Sequence, residues 1–235
     1  MHKTTGRWRL GLTLTLITVF LWASLPIPLR ILLDVMDPYT ITWVRLLVAA
    51  LLLGLWLLGR SRLPALHRLP RRDLALLVVA ALGLAGNYVF YLLGLHRVAA
   101  SAAQVLIQLA PMFLLLGGLF IFHERFSAVQ WAGFFTLTGG LVLYFHDHLG
   151  ALVGRGDYAI GVALIVTAGV LWAAYAMAQK QLLLVLRSEA IMWTIYAAAV
   201  VLFLPAISPT ELRNLSALQV ALLAYTCLNT LVAYG

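Results

Sequence analysis

Apolar segments about 20 residues long follow one another along this chain with only short polar connections, at roughly residues 10–33, 39–59, 74–95, 98–122, 127–145, 158–181, 189–207 and 216–235. A hydrocarbon core of about 30 Å takes roughly 20 residues of α-helix to cross, and backbone in lipid must satisfy its own hydrogen bonds. The pattern therefore predicts one class of fold, an all-α, polytopic transmembrane helical bundle. Charged residues make up 10% of the chain and the mean hydropathy is +0.99, whereas a soluble domain carries about 25% charged residues. No connection is long enough to hold a soluble domain.

The formal net charge is +8, but the basic residues lie in short connections and form no clustered stripe of the kind that holds nucleic acid. Their distribution orients the chain instead. With the N-terminus in the cytoplasm, Lys3, Arg7, Arg9, the five arginines from Arg60 to Arg72, Arg125, Lys180 and Arg187 face inward, eleven of the sixteen Lys and Arg. Arg30, Arg97, Arg155 and Arg213 face outward and Arg45 lies inside the second segment, which fits the cytoplasmic bias of positive loops. The first segment follows Lys3, Arg7 and Arg9 and ends near Ala23 and Ser24, the outline of a signal peptide. An internal copy of it argues for a retained helix. The single cysteine, Cys227, excludes an intrachain disulfide.

That internal copy is the second constraint. Leu21 to Leu33 reads LWASLPIPLRILL, and 150 residues on, Leu171 to Leu183 reads LWAAYAMAQKQLL; the same offset pairs Trp43 with Trp193. Five helices separate the copies, so the first and sixth run in opposite directions, and the two units form an inverted repeat. Gly86-Asn87-Tyr88-Val89-Phe90-Tyr91 has a weak echo in Asn229-Thr230-Leu231-Val232-Ala233-Tyr234. The expected organisation is a first repeat of five helices over residues 1–145 and a second, holding three, over 158–235. Eight helices of ten are then visible, and the sequence reads as truncated.

The side chains that could carry chemistry are few. An ionisable group in mid-membrane costs about 2.5–3.5 kcal/mol on insertion scales and marks ion pathways. All eight acids and all six histidines fall near segment ends, so none is placed as a mid-membrane proton carrier. His146-Asp147-His148 lacks the spacing of a metal site, and no catalytic motif is present. The expectation is no enzyme, no catalytic residues, no metal and no cofactor. Arg45 sits six residues past Tyr39, about 9 Å of helix. Its side chain either snorkels to the outer interface or steers anionic groups from a buried position.

Ser101, Gln104, Gln108 and Pro111, spaced three, four and three, share one face of the fourth helix. That face serves either interhelical hydrogen bonding or a cavity, and Pro111 favours the cavity because it frees a backbone carbonyl. Gly83, Asn87 and Tyr91 recur at intervals of four in the third helix. Trp22 and Ser24 precede Pro26 and Pro28 in the first, and Trp172, Tyr175 and Gln179 align in the sixth. The candidate substrate-binding residues are Trp22, Ser24, Asn87, Tyr91, Gln104, Gln108, Trp172 and Tyr175. An aromatic, amide-bearing, uncharged lining suits a neutral or zwitterionic organic solute. Gly117, Gly118, Gly133, Gly139 and Gly140 are assigned to helix packing.

The stretch from Asn87 to Leu143 resembles the EamA family of the drug/metabolite transporter superfamily. The likeness rests on Leu109-Ala110-Pro111, Glu124-Arg125, Gln130, Gly133 and Gly140, with Leu21-Trp22-Ala23-Ser24 and Arg45 also matching. It implies ten helices in two inverted five-helix repeats, a bacterial inner-membrane location, and export or import of small metabolites by alternating access. It also implies a central cavity to which Trp22, Asn87, Tyr91, Gln104, Gln108, Trp172 and Tyr175 contribute, and a structural role for Glu124. The expected partners are a small-molecule solute and membrane lipid, with room for a homodimer and none for nucleic acid. The alternative is a non-transporting assembly or binding subunit, or an inactive fragment.

Overall fold

A computed structural model describes residues 8–146 and 156–234; Lys3, Arg7, Asp147, His148 and Arg155, named above, lie outside the described residues. These fold into ten α-helices and three short 3-10 turns: α1 (Trp8–Ser24), α2 (Pro26–Leu33), α3 (Pro38–Gly59), α4 (Arg71–Leu95), α5 (Ala100–Leu106), α6 (Leu109–Ile121), α7 (Ala128–Phe145), α8 (Asp157–Leu182), α9 (Ser188–Phe203) and α10 (Ala217–Tyr234). Seven stretches are long and apolar enough to cross a membrane, α1 with α2 and α5 with α6 each counting as one, and α10 adds a shorter apolar helix. The chain is an all-α polytopic bundle. The eighth apolar segment of the sequence is this shorter helix.

Two of the predicted helices are broken, and proline is the cause at both places. Pro26 has no N–H for the carbonyl of Trp22, and Leu25 N–H reaches only that same carbonyl, at 3.4 Å. The Trp22 carbonyl keeps that one long local bond, and the Leu21 carbonyl accepts from the Ser24 hydroxyl of the same helix at 3.1 Å. In the fourth segment Pro111 cannot donate to Ile107, whose carbonyl accepts instead from Ala110 N–H at 2.9 Å. The chain turns through Ile107 and Gln108 before α6 begins.

Glycine decides which helices form the centre. α4 and α8 run antiparallel at backbone contact: a Cβ on Gly83 would lie 2.8 Å from the Leu171 carbonyl oxygen, and one on Gly94 2.8 Å from that of Gly161. In lipid, where apolar side chains gain little by leaving their surroundings, such close approach is what drives association. α3 and α9 flank this pair, also antiparallel, and each reaches the other with a tryptophan. Trp43 Nε1 donates to the Val200 carbonyl at 3.0 Å, and Trp193 lies over Gly54. Leu46, Leu53, Leu84, Tyr88, Tyr175, Leu182, Ile195 and Tyr196 fill the core among these four helices.

A second core, with Leu29, Leu32, Leu95, Ala103, Leu106 and Ile165, packs α2 and α5 together at the α4 C-terminal end. At the other end α6 packs on α8, and α1 lies against α10. Glu124, in the turn between α6 and α7, hydrogen-bonds Lys180 of α8, whose ammonium lies 4.9 Å from the Phe122 ring centroid. This ties the turn to the bundle, as the sequence reading of Glu124 expected.

α7 opens with a capping box of Ser127 and Gln130, but only 6% of its apolar window is buried. The glycine assignments divide accordingly. Gly117 packs on Met177 and Gly118 lies beside Glu124, whereas a Cβ on Gly133, Gly139 or Gly140 would meet nothing within 4 Å. Among the described residues these three do no packing.

Candidate functional site

A cavity of about 400 Å³ lies where the two helix breaks face each other. Its wall is built from α1 (Val19, Trp22, Ala23), the first break (Leu25) with Leu29 of α2, and the second break (Gln104, Ile107, Gln108, Ala110, Pro111). α4 adds Asn87, Tyr88, Tyr91 and Leu92, α8 adds Trp172, and α3 adds Arg45.

The breaks put the polar groups there. Gln104 Nε2 donates to the Trp22 carbonyl at 3.4 Å, and Asn229 Nδ2 of α10 donates to the Leu21 carbonyl at 2.7 Å. Each carbonyl thus takes a donor from another helix besides its local bond, and the peptide chain can stay unwound beside the cavity. Gln108 occupies the turn of the second break and is exposed to the cavity space. Asn87 Nδ2 donates across the central seam to the Ala168 carbonyl at 2.9 Å. Asn87 and Asn229 thus make the same kind of bond, each to a backbone carbonyl of another helix. Asn87 of α4 bonds α8, and Asn229 of α10 bonds α1.

Of the eight residues singled out in the sequence, Trp22, Asn87, Tyr91, Gln104, Gln108 and Trp172 line the cavity, and Ser24 and Tyr175 do not. The Ser24 hydroxyl pairs with that of Tyr225 at 2.5 Å. Tyr175 is 3% exposed and directs its hydroxyl to Met192 Sδ at 3.3 Å. Helical spacing placed Tyr175 on the Trp172 face, but the close approach of Gly83 brings that part of the face against α4. Ser101 is exposed and outside the lining, while Pro111, on the same helix face, is in it.

Arg45 corrects the expectation of an uncharged lining and the snorkelling alternative together. It is 1% exposed, the largest fully buried side chain among the described residues. Its Nε donates to Thr230 Oγ1 at 3.1 Å, and its guanidinium carbon stands 4.6 Å from the Tyr88 ring centroid. Thr230 in turn donates to the Thr226 carbonyl at 2.9 Å and accepts from the Tyr196 hydroxyl through its own carbonyl at 3.1 Å. Coverage by α4 and α10 keeps Arg45 from the interface. Tyr88 also lines the cavity and was not among the eight candidates; its neighbours Asn87 and Tyr91 carried the helical spacing and it did not.

A carboxyl cluster closes the α2/α5 end. Asp37 caps α3, accepting from Tyr39 and Thr40 N–H at 2.7 and 3.0 Å, and its own N–H donates to Glu211 Oε2 at 2.8 Å. Ser208 N–H donates to Thr40 Oγ1 at 2.8 Å, so the α9–α10 connection is laced to the start of α3. Burial pushes the Glu211 carboxyl above its ordinary pKa, and the charge of Asp37 adds to this. Burial also opposes ionisation of Asp37, yet hydrogen bonds from Thr40 and Tyr39 outweigh it and hold its pKa below the ordinary value.

Residues 9–145 match the EamA-like transporter family. An uncharacterized transporter of Haemophilus influenzae is 35% identical over 226 residues, spanning 96% of this chain and 74% of the relative. The uncharacterized inner membrane transporter YhbE of Escherichia coli is 37% identical over 229 residues, spanning 96% and 71%. A solved crystal structure 18% identical in sequence superposes over 94% of this chain and 77% of its own with a TM-score of 0.64, a likeness of fold. The chain is thus a multi-pass membrane transporter, and it belongs to the EamA-like transporter family.

Proposed function

We propose that the chain is a secondary transporter of small organic solutes, amino-acid-like or amphipathic, which it moves by alternating access across a bacterial inner membrane with its N-terminus in the cytoplasm. The observation that carries this reading is the cavity at two opposed helix breaks. Non-helical backbone at membrane depth is tolerated where it is buried in protein or lines a cavity, and here both breaks line one. The antiparallel pairing of α4 with α8 and of α3 with α9 supports two inverted repeats, over residues 1–145 and 158–235. So does the exchange of asparagine bonds between halves. Packing of α2 on α5 at one end of the bundle supports a carrier that opens to one side of the membrane at a time.

The test is flux. The purified chain in proteoliposomes is offered a panel of radiolabelled amino acids, amines and small organic acids. Saturable uptake of at least one, reduced at least tenfold by Gln108→Trp, which fills the cavity, supports the reading. Equal flux with and without the side-chain block overturns it. The second reading, an assembly role in the membrane, draws on the uncovered face of α7. Covalent dimers of Gly139→Cys in a Cys227→Ser background, together with no flux for any solute, would favour it.

A further inference from the structure

Arg45 presents an unbalanced charge to the cavity. A guanidinium stays protonated at any physiological pH and cannot shed its charge as a buried lysine can. It carries five donors, and the hydrogen bond it makes among the described residues uses Nε alone. The ion pairs among the described residues are Lys180 with Glu124 and Arg187 with Glu189, neither involving Arg45. The Tyr88 ring and the Thr230 hydroxyl are neutral and offset only part of the cost of holding a cation inside a membrane bundle. Thr230 holds the guanidinium through Nε, so the terminal nitrogens of Arg45, a lining residue, remain to supply a fork for a planar oxyanion.

Charge balance selects among oxyanions. One guanidinium carries +1, and a carboxylate brings −1. A phosphate monoester brings about −1.5 to −2 at neutral pH, and the surplus would sit among Trp22, Trp172, Tyr88 and Leu92 with no second cation in the lining. The rest of the wall is aromatic and aliphatic, with amides at Asn87, Gln104 and Gln108.

Resting on the transport reading above, we infer that the cavity selects a small monocarboxylate with an apolar body, whose carboxylate Arg45 binds and whose body lies against Trp22 and Trp172.

The test uses equilibrium binding, so that it stands apart from flux. The purified chain in nanodiscs is titrated with phenylacetate, phenylacetamide and phenyl phosphate, and tryptophan fluorescence and thermal shift are read. Phenylacetate is expected to bind at least about tenfold more tightly than phenylacetamide, its isosteric amide, because charge-assisted hydrogen bonds to a buried cation add roughly that much. Phenyl phosphate is expected to bind more weakly than phenylacetate. Arg45→Gln abolishes the preference for the acid over the amide, and Arg45→Lys keeps part of it. Should the Arg45 variants fail to fold, the comparison of acid and amide on the unmodified chain decides alone. Equal binding of acid and amide, tighter binding of the phosphate, or no binding of any of the three overturns the inference. A carrier that moves neutral solutes and shows no acid preference keeps the transport reading and loses this one. Acid-selective binding without flux does the reverse.

Discussion

Trp22 of α1 and Trp172 of α8, the same position in the two copies of the Leu-Trp-Ala motif, meet edge to face across the cavity with ring centroids 6.2 Å apart and planes at 89°. Such a pair contributes about 0.5–1.5 kcal/mol beyond the area it buries. A double-mutant cycle with Trp22→Leu and Trp172→Leu is expected to show a coupling energy of that size, read by thermal unfolding in detergent. Additive losses would mean that the rings touch without supporting each other.

The central seam makes the sign of a glycine substitution depend on position. Gly to Ala inside a helix ordinarily gains about 1 kcal/mol. At Gly83 the new Cβ would stand 2.8 Å from the Leu171 carbonyl oxygen and 3.1 Å from Tyr175 N, backbone atoms that cannot swing aside. Gly83→Ala is expected to lower the unfolding temperature, at a cost of about 1–3 kcal/mol. Gly139→Ala, with nothing within 4 Å, is expected to leave it unchanged or raise it. A Gly83 variant as stable as the parent would contradict the backbone contact between α4 and α8.

Restoring a helix should trade motion for stability. Pro111→Ala returns an N–H to the fourth segment, and removing an interior proline regains up to about 3 kcal/mol. The expected result is a higher unfolding temperature with solute flux reduced severalfold. Gln104→Leu takes the side-chain donor from the Trp22 carbonyl. At 3.4 Å that bond is long, so the loss is expected at the low end of the roughly 0.6–2 kcal/mol span of intramembrane hydrogen bonds. If Pro111→Ala raised stability and left flux untouched, the break would be incidental to transport.

The carboxyl cluster at Asp37 and Glu211 predicts a pH response. Glu211 has a raised pKa, so its stabilising share is complete below the ordinary glutamate value and is lost as pH rises through the raised one. Asp37 has a lowered pKa, so its share is held at neutrality and is lost only as pH falls below the ordinary aspartate range. Going from about pH 7 toward about pH 5, the junction should tighten through Glu211 while Asp37 still caps α3. Spin labels at Val35→Cys and Asn214→Cys, in a Cys227→Ser background, should give a narrower distance distribution at the lower pH. Glu211→Gln should remove the pH dependence. A dependence that survives in Glu211→Gln would assign it to another group.

The sequence carried the bundle because the bilayer sets helix length, and it carried six lining residues because amide and aromatic side chains inside apolar runs have few places to go. It did not carry the breaks as breaks. Leu25 and Ile27 flank Pro26, and Ala110 and Met112 flank Pro111, so each proline sits inside an apolar run. Arg45 illustrates the other limit. Its distance from Tyr39 along α3 allowed a route to the interface, and what closes that route is Thr230, 185 residues away. Tyr175 fails for the same reason in reverse: its spacing from Trp172 was right, and the glycine that draws α4 onto it lies in another helix.

The Lys180–Glu124 pair gives the two ends of the bundle different dependences on their surroundings. Both side chains are about half exposed, so water and mobile ions reach the pair, and at 0.1 M salt the screening length is only about 10 Å. At the opposite end Arg30 Nη1 clasps the carbonyls of Leu95 and His96 at 2.8 and 2.7 Å. There the neighbouring carboxyl pair answers to protons. One end of the bundle therefore answers to ionic strength and the other to acidity, so a change in either variable would act on the two ends unequally.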